Sequence, residues 1–213
     1  MKDRGIVFVV SGFSGAGKGT IMKEFISAYP SNMLSVSATT RPMRDGEVDG
    51  VHYHFVSRDK FEEMIKNSEL IEYTEYQGNY YGTPKNFLNK CLEEGKNVFL
   101  EIEVDGAGQI KKILNDAVLI FVTTPDPEIL RERLVNRKSN SEEEITGRMT
   151  RAVEEADYAD DYDYILINDV LDDTVKQLAD IVSAEHNKAD RSGNLIEDFK
   201  DSLIRFLNSR KEN

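Results

Sequence analysis

The sequence predicts an α/β fold, a parallel sheet with helices on both faces, on three observations. Apolar runs of strand length recur along the chain, as in "GIVFVVSG", "NVFLEIEV", "AVLIFVTT" and "DYILIND". Helical patterns lie between and after them, so each strand has a crossover available to return the chain for parallel pairing. The runs are continuous Val, Ile, Leu and Phe rather than alternating, which is the pattern of strands covered on both faces.

Taken in order, the first strand leads into "SGFSGAGKGT", residues 11 to 20, and then into a helix from about Thr20 to Ala28 that Pro30 ends. Residues from roughly 35 to 83 break the alternation; they are rich in Tyr, Gly and Arg and hold one short helix, "SRDKFEEMIKNSEL". They are expected to form a small inserted lobe of short strands. Further along, Asp126 caps a helix with Pro127 in its first turn, and Ser141 with Glu144 three residues on makes a capping box for the next. The polar connection "NRKSNSEEE" between those two helices is expected to move. Past about residue 184 a Ser-Gly break is followed by Leu195, Ile196, Phe199, Leu203, Phe206 and Leu207 at helical spacing, which predicts a terminal helix.

Composition narrows the function. The 213-residue chain is 39% hydrophobic and 31% charged, enough for one sizeable core with small lobes. Its apolar runs fall short of a membrane span, and the first residues lack the pattern of a signal peptide, so a cytoplasmic location is expected. A net charge of −12 argues against nucleic acid or anionic membrane as partners. The single cysteine, Cys91, lies in the amphipathic "FLNKCLEEG" and reads as structural. Against this acidic background arginines gather in "TTRPMR", "LRERLVNRK" and "GRMTRA". Local clusters of this kind suit a small, highly charged anion.

The glycine stretch names the kind of anion. From Gly12 to Lys18 it has the GxxxxGK spacing of a nucleotide-phosphate loop, placed between a strand and a helix. Such a turn aims backbone N–H groups and a helix N-terminus at one point, with Lys18 adding charge for the outer phosphates. Where the motif has a metal-binding Ser or Thr, this chain has Gly19. Mg²⁺ is therefore expected to be held mainly by phosphates and water. A second anion is expected in the lobe. Arg41 and Arg44 lie three apart there, with Tyr53, Glu72, Tyr81 and Thr83 nearby, and paired guanidiniums with tyrosine hydroxyls can grip a phosphate.

Together "SATTRPMRDGEVDGVHYHFV", "IEYTEYQGNYYGTP", the glycine loop and the closing "INDVLDD" resemble the guanylate kinase family over roughly residues 5 to 183. The resemblance implies a P-loop parallel-sheet core (1–36, 84–136 and 150–213), a GMP-binding lobe (37–83) and a helical lid (137–149), with residues 184–213 an extra C-terminal helix. It implies transfer of the γ-phosphoryl of ATP to GMP or dGMP with Mg²⁺, in purine nucleotide metabolism. ATP is then held by Gly12, Ser14, Gly15, Ala16, Gly17, Lys18, Gly19 and Thr20, with Asn168 near the adenine. Arg41, Arg44, Tyr53 and Tyr81 hold the GMP phosphate, and Ser37, Glu72, Thr83 and Glu103 read the guanine. Lys18, Arg44, Arg133, Arg137 and Arg148 neutralise the transferring group. Two departures stand out: Gly19, and Glu103 where the family has Asp. Glu101, two residues before Glu103 and expected on the same strand face, is a secondary candidate toward the metal. Two other readings fit parts of the chain. The local pattern "GKGT" is that of adenylate kinases, and the same fold serves binding modules without catalysis. Oligomeric state is left open by the sequence.

Overall fold

In a computed structural model the described residues are 4–76, 78–136, 141–191 and 195–209. Their core is a parallel sheet built around β1 (Val7–Gly12), whose six residues are all buried. That burial explains the unbroken apolar run: a central strand has no solvent face for polar residues to occupy. On one side β1 pairs with β7 (Val98–Glu101), which pairs in turn with the two-residue edge strand β2 (Met33–Leu34). On the other side lie β8 (Val118–Thr123) and then β9 (Tyr164–Ile167). The strand order β2-β7-β1-β8-β9 reverses direction at β1, and ligands of such sheets bind at the carboxyl end of the strands where the order reverses.

Each face of the sheet has its own core. Helices α1 (Lys18–Ala28) and α7 (Leu171–His186) supply Ile21, Met22, Phe25, Val175 and Leu178 to one, where Phe99 stacks on Phe8 at 4.9 Å. Helices α3 (Lys85–Glu93) and α4 (Val104–Ile113) supply Leu88, Leu92, Ala107 and Ile110 to the other. Cys91 is buried in this second layer as a small hydrophobe.

The expected inserted lobe forms a second sheet. Its strands β3 (Ala38–Thr39), β4 (His54–Phe55), β5 (Leu70–Tyr76) and β6 (Asn79–Pro84) lie in the order β4-β3-β6-β5. Helix α2 (Arg58–Lys66) begins where the Ser57 hydroxyl accepts a hydrogen bond from the Lys60 N–H and buries Phe61 against Ala38 and Leu70. This core is far smaller than either layer under the main sheet, so the lobe relies on its hairpin and its side-chain pairs.

Helices α5 (Pro127–Asn136) and α6 (Glu142–Ala156), which both carry arginines, flank the polar connection. Both expected caps are present: Asp126 accepts from the Ile129 N–H at 2.8 Å, and Ser141 and Glu144 bond reciprocally at 3.2 and 2.7 Å. Arg137 and Lys138 lie outside the described residues. Beyond α7, a short turn (Ala189–Arg191) precedes the terminal helix α8 (Leu195–Ser209). Among the described residues no helix is long and apolar enough to cross a membrane.

Two elements differ from the sequence expectation. β7 stops at Glu101, because Val104 already opens α4; Glu103 is therefore the residue before that helix and not a strand neighbour of Glu101. β2 was not expected at all, since two residues are too few to show a period.

Candidate active site

The phosphate loop leaves β1 at Gly12 (φ +125°), where a side chain would collide with the Val122 carbonyl of the neighbouring strand. Gly17 (φ +95°) ends the loop; a Cβ there would stand 2.5 Å from Asn168 Nδ2. Asn168 is buried at the end of β9, and its Nδ2 donates to the Ala16 carbonyl at 2.7 Å while its Oδ1 accepts from Thr174. Arg133 of α5 braces the same loop: Nη1 donates to the Ala16 carbonyl at 3.1 Å and Nη2 to the Asn168 carbonyl at 2.9 Å. From α6, Arg148 Nη1 donates to Ser14 Oγ at 2.7 Å. Lys18 Nζ curls back onto the Gly12 and Phe13 carbonyls at 2.7 and 3.2 Å. Thr20 follows in the first turn of α1, exposed to solvent.

A cavity runs from this loop to the lobe. It is lined on the loop side by Ser14, Gly15, Gly17, Lys18, Gly19 and Arg148, and on the lobe side by Ser37, Arg41, Arg44, Tyr53, Glu72 and Tyr81. Glu101 and Glu103, from the end of β7 and the start of α4, also line it. Gly19 faces Glu101: a Cβ on it would lie 3.5 Å from Glu101 Oε1. Gly12, Ala16, Thr20, Thr83, Arg133 and Asn168 are not among the lining residues; apart from Thr20 they stand behind those that are.

The lobe side is a set of side chains already paired with each other. Glu72 and Thr83 are cross-strand neighbours on β5 and β6, and the Thr83 hydroxyl donates to Glu72 Oε1 at 2.6 Å. Glu72 is 3% exposed, and burial pushes its carboxyl up to about 7, the bond from Thr83 working against that rise. Its other oxygen lies against Gly106, where a Cβ would come within 2.9 Å of it. Arg41 forms a two-point ion pair with Glu47, Nη2 to Oε1 at 2.7 Å and Nη1 to Oε2 at 3.0 Å, while Nη1 also donates to the Pro42 carbonyl. The bond with Glu47 holds the arginine above its ordinary pKa and the glutamate below its own. The guanidinium lies over the Tyr53 ring at 5.4 Å, and Tyr53 meets Tyr81 edge to face at 6.0 Å. Burial, then the charge of Glu101, push the Tyr53 hydroxyl up to about 12, so it stays protonated as a donor.

Comparison with known proteins finds guanylate kinases by sequence and by fold. The family model described as "Guanylate kinase" matches residues 4–185. The chain belongs to the guanylate kinase family. Among similar relatives, the guanylate kinase of Lactococcus lactis is 48% identical over 191 residues, 90% of this chain and 93% of the relative's. That of Clostridioides difficile is 48% identical over 201 residues, covering 94% and 98%. A solved guanylate kinase from Anaplasma phagocytophilum superposes with a TM-score of 0.78 at 30% identity, over 92% of this chain and 94% of that one. A shikimate kinase from Bacteroides thetaiotaomicron, 17% identical with a TM-score of 0.50, shares the fold.

Sequence reasoning singled out most of the cavity lining but not Glu47, Thr74, Tyr76, Asn79, Gly82 and Ile102. Glu47 sits six positions after Arg41 in an acidic stretch and reads as an ordinary surface charge, yet it fixes that arginine. Tyr76 lines the cavity, and its ring lies 4.6 Å under the guanidinium of Arg151 from α6. Arg151 in turn donates to the buried Glu155 at 2.9 Å and reaches toward Asp105 at 3.9 Å, tying α6 to the lobe and to α4. The "GRMTRA" cluster signalled the charge of Arg151; Tyr76 and Asp105 reach it from two distant segments and Glu155 from its own helix.

Proposed function

We propose that this chain transfers the γ-phosphoryl group of ATP to GMP or dGMP, giving ADP and GDP or dGDP, as a guanylate kinase of purine nucleotide metabolism in the cytoplasm. The observation that carries the reading is the buried Glu72, held by Thr83 across one cavity from the phosphate loop. Guanine presents N1–H and an exocyclic amino group, two donors for which a carboxylate is the natural acceptor. Adenine presents an acceptor at N1. Burying that mismatch costs roughly 1–3 kcal/mol per group, which favours guanine strongly when summed. Ser37 and Glu103 stand beside this pocket as further polar readers. Arg41, Arg44, Tyr53 and Tyr81 hold the GMP phosphate, and Gly12 to Thr20 with Asn168 hold ATP.

In the reaction a GMP phosphate oxygen forms a bond to the γ-phosphorus as the bond to the β-bridging oxygen breaks, and the electron pair leaves with ADP. The attacking oxygen is already ionised, so no general base is required. Catalysis is positioning with neutralisation of the charge passing between donor and acceptor. Lys18 leaves its resting carbonyl partners for the β and γ oxygens. Arg148 starts one hydrogen bond from the loop, at Ser14, and turns toward the transferring group; Arg137 would join it from the connection. Arg133 acts by holding the loop and the Asn168 segment as one piece. Glu101, a hard oxygen donor next to Gly19, fits Mg²⁺; among the described residues no three acidic, His or Cys side chains are grouped as a metal site, so phosphates and water complete the ligand set. When bound, Mg²⁺ supplies charge neutralisation on the phosphate oxygens. The core, the lobe at 37–83 and the lid at 137–149 are the parts that close together to exclude water.

The test is ADP formation from MgATP with GMP, dGMP, AMP, CMP and UMP in separate assays. Fast turnover with GMP and dGMP alone is expected. Turnover of AMP instead would overturn the role given to Glu72, and silence with every acceptor from folded protein would leave a binding module.

A further inference from the structure

We infer that Arg151 is a positioning residue that makes the donor and acceptor sites cooperative, by tying the acceptor wall of the cavity to the helix that carries Arg148. The inference rests on the reading of the site as one for ATP and GMP, and it gives a role to a residue which that reading leaves unused. Arg148 and Arg151 are three apart on α6, so their side chains are neighbours on one face of the helix. Their partners lie on different sides of the cavity. Arg148 donates to Ser14 of the phosphate loop at 2.7 Å, whereas the Arg151 guanidinium lies over the Tyr76 ring, 4.6 Å from its centre. Tyr76 ends β5 in the same alternation as Glu72 and Thr74, and all three line the cavity. A single helix face therefore meets the donor loop through one arginine and the acceptor wall through the other.

The surroundings of Arg151 hold it in that place. Its Nε donates to Glu155 Oε1 at 2.9 Å one turn further along α6, and Nη2 stands 3.9 Å from Asp105 Oδ2 of α4. Glu155 is buried, and its Oε2 has no hydrogen-bond partner among the described residues, so Arg151 is the cation that compensates it. Burial of the guanidinium works against its charge; the bond with Glu155 and the charges of Glu155 and Glu103 outweigh that and raise its pKa. An ion pair serving stability alone would be complete with Glu155. The ring of Tyr76 adds a contact to a different lobe, at a wall residue whose position responds to what fills the cavity. Arg151 itself does not line the cavity, so it acts through Tyr76 on one side and through α6 on the other. Coupling between two sites needs an element that meets both, and what it transmits is bounded by the contact at stake. One cation–π contact bounds the cooperativity at about two- to thirtyfold.

Calorimetry of GMP binding to the full chain, with and without a non-hydrolysable ATP analogue and Mg²⁺, decides it. In the wild type the analogue should tighten GMP binding by a factor within about two- to thirtyfold. Arg151→Gln and Tyr76→Leu should each bring that factor close to unity, with Kd for the analogue alone held within about twofold, and the double variant should lose no more than either single one. Tyr76→Phe keeps the ring and should keep the factor. At saturating MgATP, KM for GMP should rise in Arg151→Gln by the factor that calorimetry finds lost. Tyr76→Leu leaves the bond between Arg151 and Glu155 whole, so it carries the test even where Arg151→Gln does not fold. A wild type without cooperativity overturns the inference, as do variants that melt at lower temperature with the factor intact, for then Arg151 only stabilises the fold. A folded wild type that binds no GMP overturns the kinase reading as well.

Discussion

The phosphate loop and the lobe face each other across one cavity, but they are built from different materials. The loop is backbone: glycines at positive φ, a helix N-terminus, and carbonyls clamped from outside by Asn168 and Arg133. The lobe is side chains held by other side chains, Glu72 by Thr83 and Arg41 by Glu47, over a core of a few residues. A backbone site can present the same donors to any nucleotide triphosphate. The lobe instead offers side-chain donors and acceptors, whose charge and position depend on their partners.

The sharpest break between the two regions is expected from Lys18→Ala. It removes the charge proposed to reach the transferring group, and the hydrogen bonds of Lys18 lie within the loop, at the Gly12 and Phe13 carbonyls. Turnover should fall by at least roughly a hundredfold, while calorimetry finds GMP binding almost intact. Retained turnover would mean that the loop does not carry the chemistry.

Glu72→Gln attacks the other region. Discrimination of GMP against AMP in kcat/KM should fall by roughly ten- to a hundredfold, the equivalent of one or two mismatched buried groups. Acidity gives a second readout. The Glu72 carboxyl sits at about 7 against an ordinary 4.5, because burial disfavours its charged form. Guanine donors favour the charged form, so GMP binding should expel a proton and weaken as pH falls below about 7. In Glu72→Gln only the ionisation of GMP's own phosphate, near ~6, should remain. Stability runs the opposite way to the usual acidic residue. Between 4.5 and about 7 the folded chain keeps a proton that the unfolded chain has lost, so stability falls as pH rises through that window and is flat above it. The loss is at most about 3 to 4 kcal/mol, since one unit corresponds to about 1.4 kcal/mol. Urea melts at pH 5 and 8 should show this loss in the wild type and not in the variant.

Within the lobe, Arg41 is paired and still keeps an edge free to serve the proposed phosphate. Its recorded bonds to Pro42 and Glu47 use three of five N–H donors, leaving the edge formed by Nε and one hydrogen of Nη2. That edge matches two phosphate oxygens. Glu47 is therefore a brace rather than a competitor, and Glu47→Gln should raise KM for GMP roughly tenfold, the worth of a hydrogen bond to a charged group, with little change in kcat. A fall in KM would show that Glu47 competes with the phosphate instead.

How much was legible follows the same division. The central strands, the glycine loop and both helix caps flanking the polar connection announce themselves locally, because burial on two faces, positive φ and orphan N–H groups each demand particular residue types. Glu72 was singled out among the polar residues of the lobe, and its role toward guanine came from the resemblance; its pairing with Thr83 is cross-strand, and no local period reveals it. Tyr76 escaped notice because the arginine over its ring comes from another segment, and Glu47 because a pairing six residues apart in a polar stretch follows no period. Glu103 was misplaced for a local reason: "NVFLEIEV" keeps its apolar character past the point where α4 begins, so the strand seemed to run on.

The smallest expected effect lies where the two regions meet. Gly19 belongs to the first turn of α1, and a Cβ there would find Glu101 Oε1 and Oε2 at 3.5 and 3.6 Å, ordinary contact distances. Serine therefore fits without displacing the loop, and it suits a helix slightly better than glycine does. Its hydroxyl would stand beside the Glu101 carboxylate, adding one hard oxygen next to another. Gly19→Ser should keep kcat and lower the Mg²⁺ concentration for half-maximal rate a few-fold, with a matching shift in the Mg²⁺ dependence of ATP affinity. An unchanged Mg²⁺ dependence in a folded, active variant would place the metal away from residue 19. That side of the cavity would then belong to the lobe, with Glu101 acting on Tyr53, whose hydroxyl it already helps to keep protonated.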